Sequence, residues 1–319
     1  MRNTRQILAF VVMAFAVLFA QAKDVIGNQE LKKESRSVAP FEQIVVSADF
    51  NVIIEYAITP KVEVEAESNL HEFILTEVKG KTMNISVEKK TKIVNNFPIV
   101  IRLALPMFTK VQYTGDGEIS ADGIPSDKME MTLEGNGTLN IKNLKTSSLK
   151  VTAAKGFKIN FSDMIAASLN LSLKDNVVCN INKLTEVKKT EITFASTEAC
   201  TFASISSETV TIKGNGSGAL TFNGYAGKTV TATLTNSGSV KFTGSADNVT
   251  VTSSGSSVFD AIGMKAEKAK VENNGSGDIS VAPASSLDAN ITSSGSVIYL
   301  GTPKIKIENT GTGQLVKKN

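Results

Sequence analysis

The chain has 319 residues, of which 41% are apolar and 20% are charged, and its formal net charge is +3. Removal of Arg2 and Arg5 with a predicted export signal would lower that charge to +1. A nearly neutral chain lacks the basic surface expected of a protein that binds nucleic acid or an anionic membrane, so neither partner is predicted.

Residues 1–22 have the three parts of an export signal. Arg2 and Arg5 form a basic start, an unbroken apolar stretch of 14 residues covers Ile7–Ala20, and Ala20-Gln-Ala22 is a small-x-small cleavage site. The alternative, a permanent membrane anchor, would need about 20 apolar residues. No later segment is long and apolar enough to span a membrane. Together with the export signal, this predicts a mature protein exported to the periplasm or the cell surface.

The chain after the signal divides into a short polar part and a longer strand-rich part. Residues 23–37 are polar and are expected to form a flexible leader. Residues 38–108 contain alternating apolar stretches typical of strands, with one candidate short helix at Leu70–Val78, but they follow no regular repeat. Because an open solenoid end exposes strand edges, we expect residues 38–108 to form irregular first coils that act as a cap.

A repeat of about 20 residues dominates the chain from residue 109 to residue 319. Two apolar positions lie eight residues apart in each unit, and both advance together by 18 to 21 residues per step, which predicts eleven stacked coils. The first column is Val111, Met131, Val151, Leu171, Ile192, Ile212, Ala232, Val251, Val271, Ala289 and Ile307. The second column is Ile119, Leu139, Ile159, Cys179, Cys200, Leu220, Val240, Phe259, Ile279, Val297 and Leu315. Residues 38–319 are therefore expected to form one domain.

The residues around each column show that the unit is made of strands. Apolar and polar residues alternate there, as in Leu169-Asn-Leu-Ser-Leu173, and a Gly-x-Gly bend such as Gly275-Ser-Gly277 separates the two columns. No 3.6-residue pattern indicates a helical half. The sequence therefore predicts an all-β fold, a single-stranded parallel β-helix. The same alternation predicts an inward aromatic ladder of Phe161, Phe202, Phe222 and Phe242.

The start and the corners of this pattern resemble one known family. The run Phe41-Glu-Gln-Ile-Val-Val46, followed by Lys110-Val-Gln-Tyr-Thr-Gly-Asp-Gly-Glu-Ile119, is similar to the head GIN domain family of adhesins in exported bacterial proteins. The resemblance extends from residue 41 to about residue 315. Four central coils depart from it at the second corner glycine, which is replaced by Phe157, Val177, Glu198 and Ser257. The resemblance implies a right-handed parallel β-helix and a role in adhesion, and it supplies no catalytic residues.

The two cysteines, Cys179 and Cys200, are neighbours in the second column. Their Cα atoms should lie about 4.8 Å apart on adjacent strands, which is compatible with a disulfide, and export would permit oxidation. Both also replace Ile or Leu in a buried column, where free thiols pack as small hydrophobic groups. Both interpretations stay open. No metal or cofactor is predicted, because His71 is the only histidine and no Cys-x-x-Cys motif occurs.

Catalysis on a β-helix needs acidic or basic side chains gathered on one outward face. The outward rows beside the two columns place no two carboxylates on adjacent coils, so a paired acid–base site is not predicted. Asp116, Glu118 and Asp122 cluster near one corner, where acidic residues are usually solvated. The row beside the second column is instead rich in amides and hydroxyls. Its candidate ligand-facing residues are Asn140, Asn160, Asn180, Thr201 and Thr221.

Two functions are compatible with these features. The first is a non-catalytic exported adhesion or envelope scaffold protein that binds a glycan or surface component through its polar wall. The asparagines of that wall also suit an amide ladder that stabilises the stack. The alternative is a carbohydrate-active lyase or hydrolase on a pectin-lyase-like β-helix, and the missing carboxylate pair argues against it. The last coil has no cap in the sequence, which predicts that this end can form an oligomer.

Overall fold

The computed structural model describes residues 23–319, and the predicted export signal at residues 1–22 lies outside the described residues. The described residues form 25 strands and one short 3-10 helix. In this part of the chain, 23 of the strands belong to one continuous sheet in which successive coils stack through parallel pairing. The predicted β-solenoid is confirmed.

The N-terminal part of the described chain contains nine strands and the 3-10 helix His71–Phe73. These strands are β1 (Lys23–Ile26), β2 (Leu31–Arg36), β3 (Gln43–Ser47), β4 (Asn51–Tyr56), β5 (Lys61–Glu67), β6 (Ile74–Lys79), β7 (Thr82–Val87), β8 (Thr91–Val94) and β9 (Val100–Leu105). The regular coils contain β10 (Lys110–Thr114), β11 (Glu118–Asp122), β12 (Lys128–Glu134), β13 (Thr138–Lys142), β14 (Leu144–Ala154), β15 (Lys158–Asp175), β16 (Val178–Ser196), β17 (Cys200–Gly214), β18 (Ala219–Ala226), β19 (Thr229–Leu234), β20 (Ser239–Ser253), β21 (Val258–Asn273), β22 (Ile279–Ile291), β23 (Val297–Tyr299), β24 (Lys304–Asn309) and β25 (Leu315–Lys317).

The pairing register confirms both apolar columns. Val111 lies opposite Met131, Ile119 lies opposite Leu139, and every later coil continues both columns in register. Since each coil contributes one residue to each column, side chains of the same column stack directly on one another. All column members before the last coil are at most 3% exposed. Both columns therefore lie in the core of the solenoid.

Glycine occupies many corners because each coil passes closely over the coil before it. Gly135 has a φ of +119°, and a Cβ atom there would clash with the backbone oxygen of Gly115. A buried asparagine closes a later corner: Asn273 Nδ2 donates to the Gly277 carbonyl at 3.0 Å, and Asn273 Oδ1 accepts from the Gly275 N–H at 3.3 Å. Interior polar side chains of this kind satisfy the backbone groups of the corners.

Three aromatic rings form a ladder inside the solenoid. Phe202, Phe222 and Phe242 lie on successive coils, and their ring centroids are 4.5 and 4.2 Å apart with nearly parallel planes. Phe161 is also buried, but Ile181 lies between Phe161 and Phe202 in the register. The predicted ladder of four rings is therefore wrong in one member, since the strand that carries Ile181 interrupts the stack.

The two cysteines lie opposite each other on adjacent coils, and neither forms a disulfide. Cys179 and Cys200 are both fully buried. Burial raises the pKa of the Cys179 thiol well above its usual range and raises the pKa of Cys200 to about 12. Both thiols therefore stay protonated at neutral pH, and the structure agrees with the free-thiol interpretation.

The N-terminal strands stack out of chain order. β3 lies between β7 and β10, and β4 lies between β9 and β11, so β7 and β9 form a layer beneath the coil made by β3 and β4. β5 pairs antiparallel with β2 and β9, and β6 pairs antiparallel with β7. These antiparallel strands cover the edges of the layer, which closes this end of the solenoid.

The predicted flexible leader at residues 23–37 is wrong. β1 pairs parallel with β8, and β2 pairs antiparallel with β5 along its whole length, so both strands belong to the fold. The polar composition was misleading because β2 is an edge strand, where exposed charged residues are typical. The candidate helix at Leu70–Val78 is also shorter than expected, since only His71–Phe73 is helical and β6 follows directly.

A buried carboxylate fastens these N-terminal strands together. Glu67 is 1% exposed, and it accepts hydrogen bonds from the Gln29 N–H at 2.7 Å, the Asn96 N–H at 2.8 Å and the Asn96 side-chain amide at 2.8 Å. Burial by itself would raise the pKa of Glu67, but the hydrogen bonds from Asn96, Gln29 and Phe97 outweigh burial and lower the pKa. The ionised carboxylate therefore joins the β1–β2 loop to the loop after β8.

Candidate functional site

The outward row beside the second column lies along one face of the solenoid. Asn140 lies opposite Asn160, Asn160 lies opposite Asn180, and Thr201 and Thr221 follow on the next two coils. Each residue of the row follows a buried column residue on its strand, and alternate side chains of a strand point to opposite faces. The fold therefore places all five predicted ligand-facing residues in one continuous row.

Hydrogen bonds that run in one direction link the three asparagines. Asn180 Nδ2 donates to Asn160 Oδ1 at 3.1 Å, and Asn160 Nδ2 donates to Asn140 Oδ1 at 2.9 Å. Asn140 Nδ2 donates to Glu118 Oε1 at 2.7 Å, so the series ends on a carboxylate. Aligned amides polarise one another, and a charged acceptor strengthens the last bond. This series, from Asn180 to Glu118, is here called the amide ladder.

The amide ladder leaves part of each side chain free for a ligand. A side-chain amide has two N–H donors and an oxygen with two lone pairs, and the ladder uses one N–H and one lone pair of Asn160. All three asparagines are half-buried, so their remaining polar groups are within reach of solvent. Because coils lie about 4.8 Å apart, the row presents donors and acceptors at a regular spacing.

A groove of about 440 Å³ opens beside one end of the amide ladder. Asn140, Asn160 and Glu118 line this groove together with Glu55 and Tyr56 from the end of β4. β4 reaches this position because it pairs with β11, although β5 to β10 separate the two strands in the chain. The side chain of Tyr56 is 58% exposed, so its ring is accessible from solvent. The groove thus forms where the N-terminal strands meet the regular coils.

The groove carries more negative than positive groups. Glu55, Glu118 and Asp122 line it, and Lys142 contributes an ammonium group. Asp122 Oδ1 accepts a hydrogen bond from Asn143 Nδ2 at 2.8 Å, and Glu118 ends the amide ladder, so two of the carboxylates have fixed partners. Since like charges in close contact repel, this groove disfavours an acidic ligand and favours a neutral or cationic one.

The structure brings only part of the predicted row into the groove. Asn140 and Asn160 line it, whereas the other three predicted residues continue along the open wall. The sequence did not point to Tyr56 because β4 lies in the part of the chain without a repeat. The only available signal was an aromatic residue at the end of an alternating strand, and that signal does not reveal that β4 lies next to β11.

Asp116, the acidic residue at the corner before Glu118, has a structural partner on the next coil. Asp116 Oδ1 accepts hydrogen bonds from the backbone N–H and the side-chain amide of Asn136 on the next coil, at 2.8 and 3.2 Å. Asp116 therefore ties two coils together at a corner. Across residues 23–319, no group of three or more His, Cys, Asp and Glu side chains is arranged to hold a metal ion.

Comparison with known proteins gives a family match and several structural matches. The family model described as "putative auto-transporter adhesin, head GIN domain" matches residues 40–167 and residues 168–303. Among solved structures, the chain is similar to a putative adhesin from Parabacteroides distasonis ATCC 8503, with 15% identity and a TM-score of 0.43 over 93% of this chain and 100% of that chain. A putative adhesin from Parabacteroides merdae ATCC 43184 gives 15% identity and a TM-score of 0.41 over the same shares.

A third solved structure, a putative adhesin from Bacteroides fragilis NCTC 9343, gives 16% identity and a TM-score of 0.36 over 92% of this chain and 100% of that chain. Comparison with curated proteins gave no match. The first range of the family match contains all residues named above as lining the groove.

Within the part of the chain that the structure describes, no helix is long and apolar enough to cross a membrane.

Proposed function

Because the chain belongs to the head GIN domain family, described as putative auto-transporter adhesins, we propose that it is a non-catalytic exported protein that binds a glycan or another envelope or surface component. The family supports adhesion and an exported or surface location. The sequence pattern of residues 1–22 supports export to the periplasm or the cell surface.

The groove that joins Tyr56 to the amide ladder is the observation that carries the glycan part of this proposal. A sugar ring has an apolar C–H face and a rim of hydroxyl groups. An accessible tyrosine ring offers an apolar surface for the first, and amides and carboxylates offer hydrogen bonds to the second. Tyr56, Asn140, Asn160 and Glu118 supply both kinds of group in one groove.

The row beyond the groove supports weak contacts repeated along a polymer. Asn180, Thr201 and Thr221 extend the polar face in register with the groove, one residue per coil. A single polar contact contributes only about 0.5–1.5 kcal/mol. Affinity for one sugar should therefore be low, and a repeating glycan that touches several coils should bind more tightly than its monomer.

Glycan-array binding of the chain without residues 1–22 tests the proposal. We expect binding to neutral or amino-bearing glycans that weakens about tenfold or more in Tyr56→Ala. Replacing Asn140, Asn160 and Asn180 together by Ser should also weaken binding while the far-UV circular dichroism spectrum stays unchanged. Ile58→Ala is the matched control for Tyr56, because Ile58 lies two residues away, is 84% exposed and does not line the groove.

Two outcomes would overturn the proposal. Wild-type binding in both Tyr56→Ala and the triple asparagine variant would remove the groove from the contact surface. Sustained release of reducing sugar by the purified wild type, abolished in Asp122→Asn, would establish the carbohydrate-active enzyme instead, since Asp122 lines the groove.

A further inference from the structure

The C-terminal end of the solenoid presents open strand edges. β24 pairs only with β22, and β25 pairs only with β23, so within residues 23–319 the outer edge of each strand has no partner. Ile305 and Ile307 point toward the interior but are 42% and 46% exposed, whereas Leu287 and Ala289 beneath them are 1% and 0% exposed. This end therefore exposes both backbone groups and core side chains, unlike the N-terminal end, which antiparallel strands close.

The hydrogen bond made by the residue directly after β24 shows which backbone groups of the strand face outward. The Thr310 N–H donates to the Ile291 carbonyl in the coil beneath. Backbone groups of alternate residues in a strand point the same way, so Lys306 and Glu308 also direct theirs toward β22. The N–H and C=O groups of the intervening residues, Ile305, Ile307 and Asn309, therefore point out of the open end.

We propose that two copies of this chain join tail to tail, with β24 of each copy pairing antiparallel across a two-fold axis at Ile307. In this register, Ile307 faces Ile307 of the second copy and Ile305 faces Asn309 of the second copy. About six backbone hydrogen bonds then link the copies, because all three outward-pointing residues are used. A register centred on Lys306 would place Asn309 opposite Pro303, which precedes β24 and has no N–H to donate, and would oppose Lys306 to itself.

The charges of β24 fit the same register. Lys306 lies directly opposite Glu308 of the second copy, and the symmetry repeats this pair, so two opposite-charge pairs flank the central isoleucines. Lys306 Nζ already lies 3.8 Å from Asp288 Oδ2 of its own chain, which holds the ammonium on the outward face. The pairing also covers the exposed Ile305 and Ile307. A two-fold contact closes on itself, so the expected product is a dimer rather than a fibre.

Sedimentation velocity of the chain without residues 1–22, over a range of concentrations, tests this pairing. We expect a reversible monomer–dimer equilibrium. Glu308→Lys should weaken it about tenfold or more, because two lysines then oppose each other across the interface. The double variant Lys306→Glu with Glu308→Lys should recover most of the lost association. Glu272→Lys is the matched control, because Glu272 occupies the same outward row two coils earlier.

Hydrogen exchange locates the contact independently of the variants. The amides of Ile305, Ile307 and Asn309 should exchange slowly at concentrations that favour the dimer and fast after dilution. A chain that stays monomeric up to millimolar concentration would overturn the proposal. A dimer that Glu308→Lys leaves unchanged, with fast exchange at all three amides, would also overturn it, because the interface would then lie elsewhere.

Discussion

Residues 23–108 and residues 109–319 reach the same stacked cross-section by different routes. In the regular coils, each strand lies on the strand about 20 residues earlier, so order in space follows order in the chain. In the N-terminal part, β3 lies between β7 and β10, and five strands form three antiparallel pairs, β2–β5, β5–β9 and β6–β7. The regular part is thus built from nearest-neighbour contacts, whereas the N-terminal part depends on pairings that skip along the chain.

The contrast explains where the groove lies. Asn140 and Asn160 come from the regular coils, and Glu55 and Tyr56 come from β4 of the N-terminal part. The regular coils supply the polar row, and the N-terminal part supplies the aromatic residue. The junction brings an aromatic residue of one part beside the polar row of the other. Three predictions test how different the two parts are, from the largest expected effect to the smallest.

Deletions should show the largest difference in folding between the two parts. Removing residues 221–240 deletes one coil but joins equivalent positions, since Thr221 lies opposite Lys241, and nearest-neighbour stacking should survive. Removing residues 82–101 deletes the same number of residues but takes β7 from beneath β3 and part of β9 from beneath β4, so it should abolish soluble folding. Gel filtration and far-UV circular dichroism report both results.

A ten-residue deletion, residues 221–230, is the control for the coil deletion. It removes half a coil, shifts every later strand onto the wrong face and should not fold. Equal behaviour of the 10- and 20-residue deletions at this place would contradict the solenoid register. A folded protein after loss of residues 82–101 would show that the N-terminal part is as modular as the regular coils.

Core truncation in the regular coils should have the next largest effect. Phe222 is fully buried between Phe202 and Phe242, so Phe222→Ala should lower the free energy of unfolding by about 3–5 kcal/mol through lost burial and a cavity. Thr221→Ala, the outward neighbour on the same strand, should change it by about 0.5 kcal/mol or less. Urea unfolding measures both. A loss below about 1 kcal/mol for Phe222→Ala would contradict the stacked interior.

Loss of the buried Glu67 carboxylate, which joins the N-terminal strands, should have the smallest effect on stability, and that effect should depend on pH. Glu67→Gln replaces a charged acceptor by an amide that also carries donors, which should cost about 1–3 kcal/mol. The pKa of Glu67 is lowered in the folded protein from its ordinary value of 4.5. The wild type therefore has this stabilisation above that value and loses it as the pH falls through the lowered pKa.

The expected signature is a difference in stability between wild type and Glu67→Gln that is full at pH 7 and narrows in acid. Asp24→Asn is a matched control, because it also removes a carboxylate from the N-terminal strands but at an exposed position. Hydrogen exchange of β1 and β2 should accelerate only in the Glu67 variant. A difference in stability that stays constant from pH 7 to pH 3 would show that the ionised Glu67 carboxylate does not stabilise these strands.

The amino-acid sequence by itself determined the regular coils. A 20-residue step in two apolar columns allows only one way of stacking, because a shift by one residue would turn the core of Val111 and Ile119 out to solvent. Parallel strands in register also place Asn140, Asn160 and Asn180 in one outward row, so that row follows from counting residues.

Tertiary structure alone decided the N-terminal layer, the role of residues 23–36 and the groove. Strand alternation shows that β3, β4 and β9 have a buried face, but it does not show which strand lies beside which, since pairing depends on long-range packing. The polar strand β2 is stabilised by its partner β5 rather than by an apolar pattern of its own. For the same reason, only the folded chain shows Tyr56 beside the amide ladder, because contact between β4 and β11 is made across strands that leave no periodic trace in the sequence.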